Sequence, residues 1–147
     1  MGMSRPKLIM SHLALLSQLK RYSDDDLKLF AKRVGRARYD AIRVFWTGWG
    51  DGGSDLIFPY QKYEGGFNLF DFNTEYAFHL ERIARLLGER GVALYVDIYD
   101  QCSVGQYWDA WKKNYHGLNG WWDESALGLD AFRAAVRAIT GVIWGAT

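Results

Sequence analysis

A second cysteine is missing from these 147 residues, and Cys102 alone excludes an internal disulfide and a cysteine-rich metal cluster. No histidine is placed by sequence to activate that thiol, so Cys102 reads as a small buried residue and not as a nucleophile. A membrane-length apolar run is also missing. The stretch LIMSHLALL at residues 8–16 is too short to span a bilayer, and Gln18, Lys20 and Arg21 behind it do not resemble a signal-peptidase site. The expectation is a cytoplasmic chain by default, with no metal and no cofactor. Net charge is nearly absent at +1, but it is unevenly spread: residues 1–43 hold ten Lys/Arg against four Asp. Lys28, Lys32, Arg33 and Arg36 belong to the solvated side of a helix and no nucleic-acid motif accompanies them, which argues against a nucleic-acid partner.

What is abundant is apolar and aromatic: 49% hydrophobic and 16% aromatic residues suffice for one core, so residues 1–147 are expected to form a single domain. Ser23 followed by three aspartates marks a helix start, and Leu27, Phe30, Ala31 and Val34 continue it at helical spacing, predicting a helix over 24–36. YDAIRVFW then has strand composition, and residues 47–72 read as a long Gly- and aromatic-rich loop without periodicity. Asn73 caps a second helix carrying Ala77, Leu80, Ile83, Ala84 and Leu87, Gly91 ends it, and GVALYVDIY is again a strand. A third helix is expected around residues 131–140, beginning near Asp130, while residues 7–16 suit a first strand or a helix equally.

Strands separated by helices run parallel, so the fold class is α/β. Alternation puts Val92, Leu94, Val96 and Ile98 on one face and Ala93, Tyr95, Asp97 and Tyr99 on the other. The same parity sets Ile42 and Val44 against Ala41, Arg43 and Phe45. Arg43 and Asp97 then share an inner face as a buried ion pair, in which Asp97 has a structural role. His12 and His79 read as packing and helix-face residues, and His116 as a sugar contact within WDAWKKNYHGLNGWW.

The segments RVFWTGWG and FNLFDFNTEYAFHLERIARLLGERGVALYVDIYDQCS, with the trailing W-x-x-W, resemble the N-terminal portion of a cellulase-like (β/α)8-barrel glycoside hydrolase of the endoglucanase and mannanase clan. Phe70, Asp71, Phe72, Asn73 and Tyr76 match part of that family's helix opening, and Arg90 and Gly91 its approach to the next strand. The resemblance implies a partial (β/α)8 barrel of about three βα units. It implies that Arg43 supports a catalytic nucleophile electrostatically, and that Tyr99 and Asp100 line the subsite of the reacting sugar. Asp100 stands where many relatives have a histidine.

A carbohydrate partner also follows from the aromatic loops, because pyranose C–H faces stack on indole and phenol rings. Trp46, Trp49, Trp108, Trp111, Trp121 and Trp122 are the candidate substrate-binding platforms, with Tyr60 and Tyr63 as further aromatics, although more than half of the tryptophans are expected to pack loops instead. The catalytic machinery is what the sequence lacks. A full barrel takes about 250 residues, and the Asn-Glu pair by which the clan's acid/base is known does not occur. Glu75, Glu81 and Glu89 fall on a helix, Glu64 and Glu124 in loops, and no catalytic residue is identifiable. The expectation is a hydrolase-like chain truncated before its catalytic glutamates. The alternatives are a non-catalytic carbohydrate-binding module and an oligomeric structural subunit. A homodimer or the missing C-terminal half of the barrel would then cover the open sheet.

Overall fold

The computed structural model describes residues 7–46, 56–64, 66–98 and 125–145. Strand β1 (Ile9–Ser11) leads into the short helix α1 (Leu15–Gln18) and a 3-10 turn at Leu19–Arg21, so LIMSHLALL divides between strand and helix. Helix α2 (Asp24–Arg36), strand β2 (Ala41–Phe45), the antiparallel hairpin β3 (Tyr60–Tyr63) and β4 (Gly66–Phe72), helix α3 (Thr74–Gly88), strand β5 (Ala93–Asp97) and helix α4 (Ala126–Gly145) follow. Strands β1, β2 and β5 form one parallel sheet in that order, with Ser11, Arg43 and Tyr95 in one register row and Phe45 opposite Asp97. The chain is thus a mixed α/β fold with parallel strands alternating with helices.

Local signals set the helix limits. Ser23 and Asp26 form a reciprocal capping box at α2, and the Asn73 side chain accepts from the Glu75 and Tyr76 N–H groups at α3. Both helices end in a left-handed turn. At α3 the Val92 N–H reaches the Leu87 carbonyl and the Gly91 N–H the Gly88 carbonyl, with Gly91 at φ 69°. At α2 the same turn runs through Tyr39 to Val34 and Arg38 to Gly35, with Arg38 at φ 61°. Leu27, Ala31 and Val34 of α2, Leu80, Ile83 and Leu87 of α3, and Ile42 and Val44 of β2 share one core.

Two expectations are corrected. Residues 60–72 are not loop: Tyr63 pairs with Gly66 across a two-residue connection in which Glu64 has φ 41°, a geometry that suits a tight hairpin. Helix α4 begins at Ala126 and not near Asp130, because the Ser125 hydroxyl accepts the Gly128 N–H and starts the helix one turn earlier. Its buried residues Gly128, Ala131, Ala135 and Ile139 recur at helical spacing, and it packs on α3 and β4.

Candidate functional site at the strand ends

In a parallel α/β sheet, ligands sit beyond the C-terminal strand ends. Here that edge carries His12 after β1, Phe45 and Trp46 at the end of β2, and Asp97 at the end of β5. Arg43 and Asp97 meet as their parity requires. Arg43 Nε donates to Asp97 Oδ2 at 2.7 Å, and Nη2 lies 2.5 Å from the same oxygen. The guanidinium stands 5.6 Å from the centroid of the Phe45 ring, a cation–π contact on the same face.

The pair is not buried as expected. The Arg43 side chain is 46% exposed, that of Asp97 15%, and Tyr95, beside Arg43 in the register, is 55% exposed. On the face that would line a barrel's interior, Arg43 and Tyr95 are open to solvent, while Phe45 beside them is buried. The other sheet face is covered, with Ile42 and Val44 fully buried.

Trp46 is also corrected. It is wholly buried and not a stacking platform, because it shares the parity of Ile42 and Val44 and so points to the covered face. Its ring stacks on Phe72 with centroids 5.5 Å apart, and its Nε1 donates to the Tyr60 hydroxyl at 3.1 Å. The Tyr76 hydroxyl in turn donates to the Trp46 carbonyl at 2.6 Å. Burial, reinforced by neighbouring Tyr60, raises the Tyr76 phenol well above its ordinary range and keeps it a neutral donor. The cluster ties the end of β2 to the hairpin and to α3.

His12 packs edge-on against Phe30 at 5.9 Å, beside a cavity of about 210 Å³ lined also by Leu15, Tyr22 and Arg33. Neither Arg43 nor Asp97 lines it. Burial lowers the His12 pKa, opposed by its backbone hydrogen bond. His79 on α3 is also lowered, by burial first and then by Arg82. Glu75 in α3 and Glu89 just after it are paired elsewhere, Glu75 with Lys20 and Glu89 with Arg85. Among the described residues no group of three or more His, Cys, Asp or Glu could hold a metal, and no helix is long and apolar enough to cross a membrane. Trp49, Tyr99, Asp100, Cys102, Trp108, Trp111, His116, Trp121 and Trp122 lie outside the described residues. Phe45 and Tyr95, not singled out as site residues from the sequence, flank the pair; their shared parity with Arg43 was the available signal.

The described residues form a partial (β/α)8 barrel, with three parallel strands alternating with helices and an ion pair at the strand ends. No protein-family model matches the sequence, and no curated protein does. Among solved structures the chain is similar to a GH5_18 variant from Bifidobacterium longum subsp. longum ATCC 55813, crystallised in complex with Manb1-4GlcNAc. The TM-score is 0.63 at 17% identity, over 95% of this chain and 30% of that one. The likeness is one of fold, and the chain spans 30% of the length of that structure.

Proposed function

We propose that this chain is glycoside hydrolase-like and forms part of a carbohydrate-binding site at the C-terminal ends of its parallel strands. The observation that carries this reading is the Arg43–Asp97 pair, with Arg43 half-exposed on the face that would line a barrel's interior. The carbohydrate bound to the GH5_18 structure supports it. In this reading Arg43 supplies a fixed positive charge that would support a carboxylate nucleophile, and Asp97 holds its guanidinium in place. Tyr99, Asp100 and the tryptophans of residues 108–122 extend the site as an aromatic rim.

Hydrolysis with retention needs two carboxyl groups about 5–5.5 Å apart. The described strands bring only Asp97 to the inner face, and Arg43 already pairs with it. Binding is therefore the activity proposed for this chain by itself. Titration with manno- and β-gluco-oligosaccharides, followed by tryptophan fluorescence, tests it. A saturable response is expected, and no response at millimolar sugar contradicts it. A structural subunit is the second reading, favoured by the exposure of Ile9 and Tyr95 on the same open face. Sedimentation showing a specific dimer without sugar affinity would support that reading instead.

A further inference from the structure

We infer that the Arg43–Asp97 pair is itself a recognition element for a vicinal diol of a pyranose; this rests on the carbohydrate-binding reading above. An Arg–carboxylate pair in fork geometry uses both carboxylate oxygens. Here one oxygen, Oδ2, takes both Nε and Nη2. No described residue bonds to Asp97 Oδ1 or to Arg43 Nη1. Hydrogen-bonding capacity therefore remains on both the half-exposed guanidinium and its mostly covered carboxylate partner.

The charge pattern selects the ligand class. A phosphate or carboxylate meets Asp97, and a cation meets Arg43, so either is repelled by half of the element. A neutral group with an acceptor next to a donor satisfies both halves, and adjacent sugar hydroxyls are such a group: one accepts from Nη1 while its neighbour donates to Oδ1. Phe45 holds the guanidinium from one side. Tyr95, exposed in the same register row as Arg43, offers a ring to the sugar's apolar C–H face.

The test uses the whole chain, Manb1-4GlcNAc as the parent ligand and its monodeoxy analogues. Hydrogen bonds to charged groups are worth enough that losing one hydroxyl of the engaged diol should weaken binding about tenfold or more. The same deletion should cost Asp97→Ala little further, and Arg43→Lys should bind more weakly than the parent chain. The deoxy series on the unmodified chain reads the diol without any risk that a variant fails to fold. If the parent sugar binds and every monodeoxy analogue binds equally well, the diol inference is overturned while the binding reading stands. If each deletion and Asp97→Ala are additive, it is likewise overturned. If no sugar binds at millimolar concentration, both fail.

Discussion

Removing Asp97 tests the ion pair and the openness of the face around it in one experiment. Breaking a fully buried pair costs about 3–5 kcal/mol, because a charge is left without a partner or water. Fully exposed pairs contribute about 0.2–1 kcal/mol. With Arg43 46% and Asp97 15% exposed, water solvates the arginine left behind, and the expected cost of Asp97→Ala is about 1–2 kcal/mol. Arg43→Ala should cost somewhat more, since it also removes the contact to Phe45, worth about 0.5–1 kcal/mol at an exposed site. The coupling in the double-mutant cycle should be about 1 kcal/mol and shrink in high salt. Urea unfolding followed by circular dichroism gives the four free energies, and each kcal/mol should move Tm by about 2–4 °C. A coupling below about 0.3 kcal/mol, within the scatter of independent sites, would refute the pairing. A salt-independent coupling of about 3 kcal/mol or more would refute the open face.

Gly91→Ala should destabilise by about 1 kcal/mol, read from the urea midpoint: no atom crowds the new Cβ, so the cost is that of the left-handed φ of 69° alone, and an unchanged midpoint would contradict the α3 ending. Tyr76→Phe should cost about 1–3 kcal/mol by leaving the buried Trp46 carbonyl without its donor, while a neutral effect in thermal melts would remove the hydroxyl from the account. His12 and His79 both have folded pKa values below their ordinary 6.5, so the unfolded chain takes up protons first as pH falls. Their contribution is complete above pH 6.5 and declines below it until the folded pKa values are reached. Melts between pH 7.5 and about 5 should show that loss, and replacing both by Gln should flatten it.

Much of this fold is legible because short-range chemistry decides it. Ser23, Asn73 and Gly91 mark helix limits by groups that act within a few residues, and α2 and α3 run from those caps. The period-two alternation of GVALYVDIY and AIRVF was enough to bring Asp97 and Arg43 to one face. It was also enough to exclude Trp46 from the rim, since residue 46 follows 42 and 44 in parity; its place just after a strand obscured that. The hairpin was hidden because Leu69 and Phe70 are apolar neighbours in FNLFDF and break its alternation, and Glu64-Gly65 was the remaining turn signal. Parity assigns a face and does not say whether that face is covered. The exposure of Arg43 depends on how many strands surround it, which no local pattern carries.

The central claim is that sugar binds at the strand ends, beside Arg43 and Asp97. Amide and side-chain NMR shifts during titration with Manb1-4GlcNAc test it most directly, because they report both binding and place. Saturable shifts centred on Arg43, Phe45 and Asp97, and lost in Arg43→Ala, are the predicted result. Absence of shifts at millimolar sugar, or shifts gathered instead around His12 and Phe30 beside α2, would contradict it.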